Sequence, residues 1–176
     1  MPNTITAIEA CIPALRRYAR ALLRHAQDAD DLVQETLLRA LEGLRTRHQD
    51  GEVRPWLFAI MHNQFISHRR KAKVRRDDAE RDPAGLAVIG LDAHAVRGRQ
   101  EDGLHWQDFV RAFDSIPEDQ QAVLLLVSVE DLSYAEVSQV LAIPIGTVMS
   151  RLARGRERLR GLTAADAGTS LLRRVK

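Results

Sequence analysis

Cysteine occurs once, as Cys11. No disulfide can form within the chain, which fits a reducing compartment, and the expected location is the cytoplasm. No apolar run approaches the roughly 20 residues needed to cross a bilayer, so direct membrane insertion is not expected. The opening stretch MPNTITAIEACIPALRR lacks a basic leader followed by an apolar core, which excludes a secretory signal of the usual form. Aromatic residues are only 5% of the chain, and no segment alternates apolar and polar residues for long, so strands are not expected. No glycine-rich phosphate loop is present. The six histidines (His25, His48, His62, His68, His94 and His105) are scattered without metal-ligand spacing. These absences argue against an enzyme, a metal centre and a cofactor. A large charge of one sign is also missing. The formal net charge is +2, so any case for a nucleic-acid partner rests on where the charges lie.

What is abundant is apolar residues at helical spacing, within a chain that is 45% hydrophobic and 28% charged. Leu15, Tyr18, Ala19, Leu22 and Leu23 share one face. Pro13 fits a first helical turn there, although TAIE at 6–9 has capping-box form and allows an earlier start. A second helix is expected from about Asp28 to Leu44, with a stripe of Leu32 or Val33, Leu37, Ala40, Leu41 and Leu44. Its acids, Asp28, Asp30 and Asp31, sit where the helix dipole favours them. Pro55 opens a third helix with Trp56, Leu57, Ile60 and Met61, which runs on into QFISHRRKAKVRR. Breakers crowd residues 77–103, which read as a linker with a transient helix around Val88–Leu91. The pattern resumes at Trp106, Phe109, Val110, Phe113 and Ile116, and Pro117 begins an apolar helix. The expected fold is therefore all-α. A helical module over 1–76 and a second over 104–164 are joined by a flexible segment, and 165–176 forms a tail.

The charges concentrate in two places. SYAE at 133–136 is a capping box for a short helix, AIPIG is a turn, and GTVMSRLARGRERLR follows, so the three make a helix-turn-helix. Val137, Val140, Leu141, Val148 and Leu152 are expected to form its inner contact. Ser138 and Ala142 are small enough for close crossing, and Leu159 and Leu162 are expected to continue the inner face. Thr147, Ser150, Arg151, Arg154 and Arg158 then point outward. Hydroxyls at the N-terminal end with arginines behind them suit the DNA major groove. The second place is FISHRRKAKVRR at 65–76, which contains no acid. Such crowding destabilises a helix unless a polyanion relieves it. Phe58, His62, Asn63, Gln64 and Phe65 precede it with groups able to hydrogen-bond to or stack on unpaired bases. Taken alone, DADDLVQETLLRAL at 28–41 reads as an ordinary amphipathic helix.

Together the three stretches resemble the extracytoplasmic-function sigma factors, the small alternative sigma subunits of bacterial RNA polymerase. DADDLVQETLLRAL and RPWLFAIMHNQFISHRRK resemble their second conserved region, and IPEDQQAVLLLVSVEDLSYAEVSQVLAIPIGTVMSRLARGRERL resembles their fourth. The resemblance implies that Asp31, Gln34, Glu35 and Arg39 dock on the clamp helices of the largest polymerase subunit. It implies that His62, Asn63 and Phe65 capture a minus-ten base while Arg69, Arg70 and Lys71 hold the strand. It further implies that Thr147, Ser150, Arg151, Arg154 and Arg158 read the minus-thirty-five element, and that an anti-sigma factor is a partner. Met149 and Ala153 depart from the family pattern. Fully extended, residues 77–103 would span up to about 90 Å, against promoter elements roughly 34–70 Å apart. Two other readings fit the helix-turn-helix: a stand-alone DNA-binding regulator, and a sigma mimic that titrates an anti-sigma factor.

Overall fold

The structure is a computed structural model that describes residues 4–23, 25–44, 52–81 and 109–173, with side chains described to 74 in the third helix and to 162 in the last. Among these residues the secondary structure is helical, with no strand. The helices are α1 (Thr4–Leu22), α2 (Ala26–Gly43), α3 (Val53–Arg81), α4 (109–114), α5 (Glu118–Ser128), α6 (Tyr134–Leu141) and α7 (Ile145–Arg173). The chain divides into two compact units, one carrying α1–α3 and the other α4, α5 and α7. The segments around Val88–Leu91 and at Trp106 lie outside the described residues.

In the first unit three helices pack pairwise around one core. Ile8, Leu15, Tyr18, Leu32, Val33, Leu57, Phe58 and Met61 are buried there. Each large apolar side chain fully removed from water contributes about 1.5–3 kcal/mol. The Tyr18 and Phe58 rings meet edge to face with centroids 5.3 Å apart, a favoured aromatic geometry. α1 begins at Thr4, so Pro13 lies inside it rather than in its first turn. Pro13 and Glu9 are both exposed. The Glu9 carbonyl, deprived of its helical donor, therefore lies on the solvent side, where the defect costs least.

Two polar residues enter this core. Thr36 Oγ1 lies 2.7 Å from the Leu32 carbonyl and 2.7 Å from the side-chain amide of Gln64. The one hydroxyl proton is shared between two acceptors, the Leu32 carbonyl and Gln64 Oε1, and Gln64 Nε2 is left without a hydrogen-bond partner among the described residues.

α3 has two parts. Up to Phe65 its residues alternate between core and flank at helical spacing, whereas residues 66–74 are all exposed. The basic stretch thus projects as a solvated extension of a core helix, and the helix continues to Arg81 where a linker was expected from 77.

The second unit is closed by glutamines as well as aliphatics. Gln121, buried in α5, donates through Nε2 to the Phe113 carbonyl at 2.9 Å and the Ile116 carbonyl at 2.8 Å, satisfying carbonyls at the end of α4. The capping box before α6 closes reciprocally. Glu136 Oε2 accepts from the Ser133 amide at 2.7 Å, and Ser133 Oγ accepts from the Glu136 amide at 3.3 Å. Ser133→Ala is expected to cost about 1 kcal/mol, read as a lower denaturant midpoint at unchanged slope.

α5 and α7 pack directly. A Cβ at Gly155 would lie 2.8 Å from Leu124 Cδ1 and 3.1 Å from Cγ. The missing side chain at Gly155 therefore makes room on α7 for Leu124 of α5. Close crossing was expected at Ser138 and Ala142. Ala142 is instead an exposed turn residue with φ 52°. Leu162, expected inside, is exposed, while Gly155 takes its place on the inner stripe with Val148 and Leu152. The helix also runs through the expected tail to Arg173.

Candidate nucleic-acid interface

α7 opens on a tight turn. The amides of Thr147 and Val148 donate to the Pro144 carbonyl at 2.8 and 3.1 Å, so the helix starts at Ile145 and its phase is fixed from the first residue. With Val148, Leu152 and Gly155 buried, that phase leaves Met149, Ala153, Arg154 and Arg158 exposed. Thr147, Ser150 and Arg151 are half-buried on the flanks. Ser150 Oγ donates to the Thr147 carbonyl at 3.1 Å, which leaves the hydroxyl oxygen able to accept. Arg151 pairs through Nε with Asp119 Oδ2 at 3.0 Å. Among the described residues Arg154 and Arg158 have no ion-pair partner. The five residues expected to read DNA therefore lie along one side of α7, graded from hydroxyls at its start to exposed arginines. Met149, which departs from the family pattern, is 53% exposed.

The site on α3 divides differently. Asn63, Arg69, Arg70 and Lys71 are exposed. His62 is half-buried, with Nδ1 3.2 Å from the Tyr18 hydroxyl. Tyr18 is enclosed in the core, and burial pushes its phenol well above the ordinary tyrosine range. It therefore stays a protonated hydroxyl, which donates to His62 Nδ1 or accepts from it according to the imidazole tautomer. Phe65 corrects the sequence reading: at 2% exposure it is a core residue and cannot stack on a base. Phe58 and Gln64 are buried for the same reason. The α3 spacing aims 57, 58, 61, 64 and 65 at α1 and α2, and their aromatic surface is spent there.

On α2 the expected core stripe is shifted. Ala29, Leu32, Val33, Thr36 and Ala40 are buried, whereas Leu41, expected inside, is 50% exposed and Leu38 is 62% exposed. Both leucines lie on the outward face with Asp31, Gln34 and Arg39. Glu35 is the hinge of this face. It meets Arg39 at 3.3 Å and His68 of α3 at 2.9 Å, so the α2 surface and the basic extension are tied together. Leu38, the more exposed of the two, is an apolar surface residue that the sequence pattern does not single out. Among the described residues no cluster of His, Cys, Asp and Glu is able to hold a metal ion, and no helix is long and apolar enough to cross a membrane.

A helix-turn-helix with an arginine-lined outer face, in a chain whose other unit carries an exposed basic helix, defines a DNA-reading protein of the all-helical class. Residues 8–62 match the family described as the sigma2 domain of PhyR, and residues 106–159 match sigma-70, region 4. The chain is 35% identical to the ECF RNA polymerase sigma factor EcfG of Rhodopseudomonas palustris, over 90% of this chain and 84% of that one. It is 33% identical to the ECF RNA polymerase sigma factor SigC of Mycobacterium tuberculosis, over 87% of this chain and 81% of that one. Among solved structures it is similar to the sigma factor RpoE of Bartonella quintana, crystallised with the anti-sigma factor NepR. That match has a TM-score of 0.74 and 30% identity, covering 90% of this chain and 95% of the other. The chain belongs to the extracytoplasmic-function family of RNA polymerase sigma factors. Its function is that of an alternative sigma factor, which directs RNA polymerase to promoters.

Proposed function

We propose that the two units read two parts of one promoter while mounted on core RNA polymerase. α7 lies in the major groove of the minus-thirty-five element. Thr147, Ser150 and Arg151 face base edges, and Arg154 and Arg158 face phosphates. On the first unit Asn63 and His62 capture an unpaired minus-ten base, and Arg69, Arg70 and Lys71 hold the strand beside it. Capture lowers the free energy of the open state relative to the duplex and so biases melting. The outward face of α2 docks on the clamp helices of the largest subunit. The division of labour leaves catalysis to the polymerase, and places the chain in the cytoplasm.

The observation that carries this reading is the outer face of α7: two exposed arginines one turn apart, behind a helix-turn-helix whose capping box closes reciprocally. A mimic that only titrates an inhibitor has no need of those arginines, and a stand-alone regulator has no need of the apolar face on α2. We also propose an anti-sigma partner for this chain, since its relative from Bartonella quintana is bound by one. Leu38 and Leu41 give such a partner apolar surface to cover.

Transcription with purified core polymerase tests the reading. Initiation at defined start sites is expected only when the chain is added, and the chain alone should bind the same DNA weakly and with a steep dependence on salt. Tight sequence-specific binding without polymerase, at physiological salt, would favour the stand-alone regulator.

A further inference from the structure

We propose that Asp119 is a positioning residue for Arg151, setting the base preference of α7 through that side chain. The proposal rests on the reading of α7 as a duplex reader. It begins from a contrast. Of the arginines assigned to the interface on α7, Arg151 alone has a carboxylate partner among the described residues, at 3.0 Å, and its side chain is 28% exposed. Arg154 and Arg158 are exposed.

An exposed ion pair ordinarily does little, because both side chains must be ordered to make it. Here both ends are already placed. Asp119 sits in the first turn of α5, where the helix dipole favours a carboxylate. One turn beyond Arg151, Gly155 brings α7 onto α5 against Leu124. The crossing that fixes the helix register therefore also fixes the Asp119–Arg151 pair.

The geometry also leaves the useful part of the guanidinium available. Its five N–H donors form a planar fork, and the pair with Asp119 uses the Nε edge. The terminal nitrogens remain to bridge two acceptors in one plane, the arrangement that guanine O6 and N7 present in the major groove. A long side chain pinned before DNA arrives loses less freedom on binding, and it loses that freedom in one orientation only. Asp119 also brings a negative charge near the phosphates. It therefore weakens binding to every sequence while sharpening the choice among them. A contact that merely stabilised the fold would produce neither effect.

The test uses holoenzyme assembled from the full chain, and a duplex library randomised across the upstream promoter element. Wild type is expected to prefer one base at one position by about tenfold or more, the discrimination typical of a bidentate arginine. Arg151→Ala should flatten that position. Asp119→Asn should reduce the preference there several-fold while retaining more DNA of scrambled sequence. Asp119→Ser, which keeps a small polar residue in the first helical turn, should act the same way. If both Asp119 variants kept the wild-type profile, or lost DNA uniformly without changing it, the positioning role is overturned and the reading of α7 stands. If Arg151→Ala itself left the profile unchanged, that reading fails for Arg151, and the role of Asp119 fails with it.

Discussion

Holoenzyme carrying Arg154→Glu together with Arg158→Glu is expected to lose promoter-directed initiation by about 100-fold, the lower end of what two charge-assisted contacts supply. Both side chains are exposed, lie one turn apart on α7, and have no ion-pair partner among the described residues. Nothing in the second unit depends on them, so thermal unfolding should move little. The loss arises at the DNA. Each arginine that reaches a phosphate releases condensed counterions, and its reversal adds repulsion where attraction stood. Binding that remains should show a salt slope shallower by about 2, close to 0.9 for each phosphate contact removed. Because the change is confined to the second unit, capture of a single-stranded minus-ten oligonucleotide by the first should be unaffected. Unaltered start-site selection by a well-folded double variant would remove α7 from the interface.

Which parts of this interface were legible beforehand depends on what each signal contains. The helix-turn-helix was legible because its pieces are local. A capping box spans four residues, a turn spans a few more, and Ser133 and Glu136 bond to each other with no help from elsewhere. The outward set on α7 followed from the same local phase. What a helical period does not reveal is which of two adjoining stripes faces in. On α2 the choice between the side bearing Thr36 and the side bearing Leu41 is made by α1 and α3. They cover Thr36 because Gln64 arrives to meet it, and Leu41 is left out. The aromatic residues of α3 were ambiguous for a related reason. A phenylalanine beside a basic run serves equally as a stacking platform or as a core residue, and only the packing of Phe58 on Tyr18 decides. Gly155 and Asp119 were invisible alone. Each acquires meaning from a residue on another helix, Leu124 in one case and Arg151 in the other.

The exposed leucines of α2 lead to the second large effect. Asp31, Gln34, Leu38 and Leu41 follow one another at spacings of three and four, so they line one face of the helix. Leu38 stands in the middle of that face at 62% exposure. The fold gains almost nothing from a leucine so placed, and Leu38→Glu should leave the stability of the first unit within about 0.5 kcal/mol of wild type. Leu32→Ala, made one face away in the core, should by contrast cost about 2–5 kcal/mol. If the α2 face docks on polymerase, the ranking reverses. Burial of Leu38 beneath a partner contributes about 1.5–3 kcal/mol, and a glutamate there adds a charge that must lose its water without a partner. Leu38→Glu should therefore weaken assembly with core polymerase by about 30- to 1,000-fold, the range of a central hot spot. Asp31→Ala, at the polar margin of the same face, should change it by less than about tenfold, and mainly at low salt. Competition between variant and wild-type chains for limiting core polymerase measures both. A Leu38→Glu chain that competed as well as wild type would leave α2 an ordinary solvated surface, and core binding would have to be sought elsewhere on the first unit.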